Sequence, residues 1–185
     1  MPETAWPTVV DRFPRWPFVV AAAVASLTAV ILLYDWSPPF LLQMTDSEPK
    51  GIYRLRPLPD VLWPGILVTL DVPSSVGEWI FEQGWLPRRW NGKAPVLVKP
   101  VAGLPGDAYC VRDAGVWVNG VWRGPVYREL GGVVLPQLRG CWVVAKDQVL
   151  LLNTRVNNSL DSRYFGVVQR AALQRWAVPL WTWGE

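Results

Sequence analysis

The sequence of 185 residues contains no histidine. This absence excludes Ser-His-Asp and Cys-His catalysis, and it removes the imidazole ligands that most zinc sites use. With only two cysteines as well, no metal site and no cofactor is predicted. Charged residues are also scarce, at 18% of the chain, and the net charge is only +3. Because these charges are few and scattered, the composition gives no support for nucleic-acid binding.

One stretch of the chain is long and apolar, since residues 18–34 include no charged side chain. As a helix this stretch would span roughly 26 Å, slightly less than the ~30 Å hydrocarbon core of a bilayer. Trp16 precedes it and Trp36 follows it, which is typical of residues at a membrane interface. A buried core helix and a cleaved signal peptide are the alternatives, although no small-x-small cleavage site follows the stretch.

The charges beside this stretch predict its orientation. Arg12 and Arg15 lie on its N-terminal side, and basic residues next to a membrane helix are retained in the cytoplasm. We therefore expect a cytoplasmic segment over residues 1–17, a single-pass inner-membrane anchor in contact with lipid over 18–36, and a periplasmic domain over 37–185.

The sequence after the predicted anchor indicates a mainly β domain with a few short helices. Short apolar or alternating segments bounded by Gly or Pro are typical of strands, and Asn119-Gly120 is a typical two-residue hairpin turn. Short helices are predicted over residues 74–84 and 168–176. Strands are predicted over residues 51–56, 66–72, 96–101, 108–112, 116–118, 142–145 and 149–152.

A serine nucleophile in a chain without histidine requires another base. Ser47 lies in the turn-rich segment 45–51, shortly after the apolar stretch. Lysine acts as a base at neutral pH only when burial lowers its pKa from about 10.4, and a shift of about 3 units costs roughly 4 kcal/mol. Lys99 is the candidate because residues 94–98 and 100–105 around it are all uncharged. The alternative is a strand lysine whose amine reaches solvent.

Three segments resemble the sequence boxes of the type I signal peptidases: SEP at 47–49, KPVAGLPGD at 99–107 and NSLDSRYFG at 158–166. They occur in the order of that family, after an apolar segment. The Thr-x-Ser-x-Pro-x-Gly-Ile-Tyr pattern of residues 45–53 is similar to one branch of the family, the TraF-type pilin peptidases of conjugative transfer. The resemblance implies a signal-peptidase-like antiparallel β domain.

The resemblance also implies a role for each residue of the site. Ser47 would attack the scissile carbonyl, and neutral Lys99 would accept its proton. Ser159 would hydrogen-bond the lysine amine, while the Thr45 hydroxyl and the Ser47 backbone N–H would form the oxyanion hole. For Thr45, the capping of a turn is the alternative.

Asp161 and Arg163 belong to the last of the three boxes. The resemblance implies that they form an ion pair that supports the site, and a direct catalytic role of Asp161 is an alternative in this branch. A plain loop at Asp161-Ser162 is a further alternative.

The two cysteines, Cys110 and Cys141, both follow the predicted anchor. In an exported domain an oxidising compartment favours a disulfide between them, which would contribute about 2–4 kcal/mol to stability. Two buried thiols are the alternative.

Together these features predict a membrane-anchored serine endopeptidase that cleaves leader peptides from exported precursors. The resemblance implies a pilin of a conjugation or type IV secretion system as the substrate, joining of the pilin ends as a further reaction, and contacts with other components of the transfer apparatus. Two alternatives are a housekeeping signal peptidase of broad specificity and a non-enzymatic, membrane-tethered assembly factor.

Overall fold

A computed structural model of the protein describes residues 14, 16–33, 39–71, 74–85 and 96–183. The chain divides into two compact units, Met1–Ser37 and Pro38–Glu185. The first unit contains helix α1, Trp16–Leu33, which includes most of the stretch predicted as an anchor.

None of the helices that the structure describes is long and apolar enough to cross a membrane. Residues 34–36 of the predicted anchor, and most of the predicted cytoplasmic segment 1–17, lie outside the described residues. The anchor over residues 18–36 therefore stays a prediction.

The second unit is mainly β, which confirms the mainly β domain of the predicted fold class. Its strands in chain order are β1 (Phe40–Gln43), β2 (Lys50–Arg56), β3 (Leu67–Asp71), β4 (Val96–Gly103), β5 (Ala108–Arg112), β6 (Gly115–Val118), β7 (Val121–Gly124), β8 (Glu129–Leu130), β9 (Val133–Val134), β10 (Gly140–Val143), β11 (Gln148–Leu151), β12 (Val168–Gln169) and β13 (Leu173–Trp183). Its helical elements are α2 (Ser74–Glu82), α3 (Ser162–Phe165) and a 3₁₀ turn (Arg170–Ala172).

Antiparallel pairing joins these strands into three sheets. The largest has seven strands in the order β1-β2-β13-β3-β4-β11-β12, the second has four in the order β10-β5-β6-β7, and the third is the hairpin β8-β9. The C-terminal strand β13 lies between β2 and β3. Because β13 joins β2 to β3, the β1–β2 hairpin and strand β4 belong to one sheet.

Strand β11 and the residue after it lie between two hydrophobic cores. Val149 and Leu151 pack into one core, which includes Ile80 of α2, whereas Leu150 and Leu152 pack into the other with β5 and β6. Because successive side chains of a strand point to opposite faces, burial on both faces produces an uninterrupted apolar run.

Two local predictions are confirmed. Asn119 and Gly120 both have positive φ, 51° and 78°, as a type I′ turn between β6 and β7 requires. Helix α2 forms within the predicted range and ends at Glu82, and Gly84 follows it with a φ of 66°.

The prediction of a helix over residues 168–176 is wrong. The segment contains β12, the 3₁₀ turn and the start of β13, which pairs with β2 on one side and β3 on the other. This pairing with two distant strands overrides the local preference of the sequence. Proline is unfavourable within a central strand because it has no backbone N–H to donate. Pro179 lies where the register between β13 and β2 shifts.

Candidate active site

A cleft of about 580 Å³ opens in the second unit. Four of the predicted site residues line it together: Thr45 and Ser47 from the loop between β1 and β2, Lys99 from β4, and Ser159 from the segment before α3. Most of the remaining wall is apolar, with side chains that include Leu41, Ile80, Trp85, Leu97, Leu130 and Leu160.

The loop that carries Ser47, residues 44–49, is held through its carbonyl groups. The Asn153 amide donates a hydrogen bond to the Ser47 carbonyl. The Tyr53 hydroxyl donates to the carbonyl of Pro49 at 2.7 Å, and Tyr53 itself is completely buried. These contacts join the loop to both the sheet and the segment that follows β11.

Gly51 stands at a close approach of β13 to β2. A Cβ at this position would collide with the carbonyl oxygen of Trp181 and lie 2.8 Å from the Cα of Thr182. The approach coincides with the register shift of β13 between Pro179 and Trp181. The strand that leads away from the Ser47 loop therefore requires a residue without a side chain at its second position.

Thr45 connects Ser47 to a buried side chain. Its hydroxyl oxygen lies 3.2 Å from Ser47 Oγ, within hydrogen-bond distance. On its other side, the amide of Gln43 donates to the Thr45 hydroxyl at 2.6 Å and to the Thr45 carbonyl at 3.1 Å. Gln43 is the last residue of β1 and is only 7% exposed.

Lys99 is buried in the middle of β4, and 3% of its surface is exposed. Its amine donates a hydrogen bond of 2.8 Å to Ser159 Oγ. Burial lowers the pKa of Lys99 from 10.5 to about 8, in the direction that base catalysis requires, although the negative charges of Asp161 and Glu48 oppose this shift. A minor but significant fraction of the lysine is therefore neutral near pH 7.

Asp161 and Arg163 form the predicted ion pair, with 2.8 Å between Arg163 Nε and Asp161 Oδ1, and both side chains are fully buried. The Asp161 carboxylate also accepts the backbone N–H of Arg163, which caps α3, and that of Asn153. Burial raises the pKa of Asp161, whereas the charge of Arg163 lowers it. Asp161 acts on Lys99 through its charge, which raises the pKa of the lysine.

The sequence did not single out Glu48, the residue after the proposed nucleophile. Its side chain is only 6% exposed, and Oε1 accepts a hydrogen bond of 2.7 Å from the Asn153 amide. Burial raises the pKa of Glu48 from 4.5 to about 7, and the charge of Lys99 lowers it. Because most carboxylates are exposed, the sequence gives no sign that Glu48 is buried. Its position next to Ser47 was the only available signal for a role in the site.

Asn153 was also missed, although it joins three parts of the site. Its amide nitrogen contacts the Ser47 carbonyl and Glu48, its amide oxygen accepts the backbone N–H groups of Arg155 and Val156, and its own N–H donates to Asp161. The available signal was a polar residue directly after the apolar run 149–152.

Cys110 and Cys141 form the predicted disulfide. They lie directly opposite each other on the paired strands β5 and β10. The disulfide therefore fastens the edge strand of the four-stranded sheet to its neighbour.

Comparison with known proteins identifies the family. The model of the family described as "Signal peptidase, peptidase S26" matches residues 15–181. A conjugal transfer protein TraF of Agrobacterium tumefaciens is 33% identical over 179 residues, which covers 89% of this chain and 94% of that protein. A plasmid transfer protein TraF of Escherichia coli is 28% identical over 171 residues, with the same coverage of 89% and 94%.

Among solved structures, a signal peptidase I of Enterococcus faecalis matches with 17% identity and a TM-score of 0.37, covering 63% of this chain and 97% of that one. The match of the family model extends over most of the chain, and the Agrobacterium relative matches over nearly its full length. The chain therefore belongs to the peptidase S26 family of signal peptidases, in the branch of the TraF-type proteins.

Proposed function

We propose that the protein is a serine endopeptidase in which Ser47 is the nucleophile and Lys99 is the general base. The observation that carries this proposal is the burial of Lys99 in the wall of a cleft that Ser47 also lines. Because burial lowers the pKa of Lys99 to about 8, roughly a tenth of the amines are neutral at pH 7. A neutral amine can accept the proton of a serine hydroxyl.

The reaction proceeds through an acyl-enzyme. Ser47 Oγ forms a bond to the scissile carbonyl carbon while its proton passes to the amine of Lys99. The resulting ammonium donates that proton to the leaving nitrogen as the C–N bond breaks. Water, deprotonated by the same lysine, then attacks the acyl carbon, and the lysine returns this proton to Ser47 Oγ as the ester bond breaks.

The remaining site residues support these steps. The Thr45 hydroxyl and the Ser47 N–H stabilise the oxyanion, and the loss of one such donor typically costs about 3 kcal/mol in the barrier. Ser159, which accepts a hydrogen bond from the Lys99 amine, keeps the amine directed into the cleft. The ion pair of Asp161 and Arg163 fixes the segment that carries Ser159.

The substrate in this proposal is an exported precursor with a leader peptide. The largely apolar cleft suits an extended segment with small side chains before the cleaved bond. Two relatives are named as conjugal or plasmid transfer proteins, which supports a pilin of a conjugation system as the precursor. If an amine of the product intercepts the acyl-enzyme instead of water, the same site joins the pilin ends.

The proposal also includes the location of the reaction. Residues 18–36 anchor the protein in the inner membrane in a single pass, residues 1–17 lie in the cytoplasm, and residues 37–185 lie in the periplasm. The basis is the uncharged stretch with Arg12 and Arg15 on its N-terminal side. There the site meets exported precursors and other components of the transfer apparatus.

A processing assay tests this function. Membranes that carry the full chain are mixed with a pilin precursor, and conversion to the mature length is followed over time. The variants Ser47→Ala and Lys99→Met should each lower the rate by at least about 10³-fold. Thr154→Ala is the control, since Thr154 is exposed, and it should process at the wild-type rate.

Processing at the wild-type rate by either dyad variant would contradict the proposal. Rescue of general secretion in cells that lack their own signal peptidase would favour broad specificity instead. Normal pilus assembly in cells with Ser47→Ala would favour a non-enzymatic assembly role.

A further inference from the structure

Gln43 is a buried polar side chain directly beside the proposed oxyanion hole. In β1 the exposed residues Phe40 and Leu42 alternate with the more buried Leu41 and Gln43, as the period of a strand requires. Leu41 fills apolar space, but Gln43 directs an amide toward the start of the Ser47 loop. An amide in this position requires hydrogen-bond partners, because a buried polar group without them costs free energy.

The partners of Gln43 determine which way its amide points. One of them is the backbone carbonyl of Thr45, 3.1 Å from Nε2. A carbonyl oxygen can only accept, so the group of Gln43 that faces it must be the NH₂ group and not the amide oxygen. The same NH₂ group lies 2.6 Å from the Thr45 hydroxyl oxygen, and that oxygen must therefore accept from Gln43.

This arrangement has a consequence for the direction of the next hydrogen bond. Since the Thr45 oxygen accepts from Gln43, its own proton points elsewhere, and Ser47 Oγ lies 3.2 Å away. Ser47 Oγ is an acceptor within reach of that proton, so the arrangement favours Thr45 as the donor to Ser47 Oγ. The Ser47 proton in turn remains available to a base, as a nucleophile needs.

We propose that Gln43 is a positioning residue that holds the Thr45 hydroxyl as a hydrogen-bond donor directed at the reacting atoms. The proposal rests on the proposed function, in which Ser47 is the nucleophile and Thr45 stabilises the oxyanion. Without Gln43 the Thr45 hydroxyl is free to rotate and to donate to its surroundings, and in part of the molecules it accepts the Ser47 proton instead. A hydrogen-bond donor that is already oriented stabilises the negative charge of the transition state most strongly, because it does not have to reorient during the reaction.

A double-mutant cycle on the full chain in membranes tests the coupling of Gln43 and Thr45. The variants are Gln43→Met, which has a similar volume without donors, Thr45→Val, and the two combined. Cleavage of a pilin precursor is measured as kcat and KM. Gln174→Met is the matched control, because Gln174 is an exposed glutamine of β13 whose amide contacts the carboxylate of Asp71.

Thr45→Val should lower kcat by about 100-fold, as expected for the loss of one oxyanion donor. Gln43→Met should lower kcat by about tenfold with KM within about twofold, because the donor is present but no longer oriented. The double variant should be no slower than Thr45→Val alone, since Gln43 acts only through that hydroxyl. Gln174→Met should keep the wild-type kcat.

Two results would overturn the proposal: independent losses that multiply to about 1000-fold in the double variant, or a Gln43→Met variant that changes KM but not kcat. If Gln43→Met does not fold, judged by its thermal unfolding, the cycle is repeated with Gln43→Asn, whose shorter amide cannot span the distance to the hydroxyl. Full activity of Ser47→Ala in the same assay would instead contradict the proposed function, which separates the two failures.

Discussion

Replacement of Lys99 by methionine should stabilise the fold at neutral pH, and this gain should shrink as the pH rises. Lys99 has a pKa of about 8 in the folded protein, lowered from 10.5 mainly by burial. Between these two values the unfolded chain binds more protons than the folded one, so the stability of the wild type increases with pH. The pKa difference of 10.5 − 8, or 2.5, means that the buried lysine lowers the free energy of unfolding by about 3 kcal/mol at pH 7.

Methionine has a similar length but no charge, so Lys99→Met removes this penalty. It also removes the hydrogen bond to Ser159 Oγ, and the loss of that bond reduces the absolute gain at every pH by a similar amount. The dependence on pH is therefore the informative quantity. Between pH 7 and pH 9.5 the stability of the variant relative to the wild type should fall by about 2 kcal/mol.

The assay is urea unfolding of the purified full chain, followed by tryptophan fluorescence at pH 7 and pH 9.5. Lys146→Met is the matched control because Lys146 is exposed, and its difference from the wild type should be the same at both pH values. A difference for Lys99→Met that does not change with pH would refute the desolvation of Lys99, and with it the reason why this lysine can act as a base.

Three further substitutions test other parts of the site. Glu48→Gln removes a charge that raises the pKa of Lys99, so the pH–rate profile should move to lower pH by roughly half to one unit. Arg163→Met leaves the fully buried carboxylate of Asp161 without its partner, and thermal or urea unfolding should show a loss of about 3–5 kcal/mol. Gly51→Ala forces a Cβ into the backbone of β13 and should destabilise the fold by about 1–3 kcal/mol, whereas Ala at the exposed Thr154 should not.

The candidate site residues that have a local signal can be selected from the sequence. Ser47 and Lys99 stand out because the chain has no histidine and because the surroundings of Lys99 are uncharged. The structure brings both to one cleft with Thr45 and Ser159. The short motifs determine which residue types are present, whereas the folding of the sheet brings these residues close together.

The residues that were missed depend on contacts between distant parts of the chain. Glu48 is buried because Asn153, 105 positions away, supplies its hydrogen bond. Gln43 was missed because β1 has only four residues, too few for a periodic pattern to be recognised. The error over residues 168–176 has the same origin, since β13 is a strand through its pairing with β2 and β3.

The most direct test of the Ser47–Lys99 mechanism is the pH dependence of kcat/KM for precursor cleavage by the wild-type protein between pH 6 and pH 10. The mechanism requires neutral Lys99, whose pKa is about 8. We expect kcat/KM to rise about tenfold per unit below pH 8 and to level off above it, while Lys99→Met stays inactive throughout. A rate that is independent of pH between 6 and 9, or a Lys99→Met variant that retains the wild-type profile, would contradict the account.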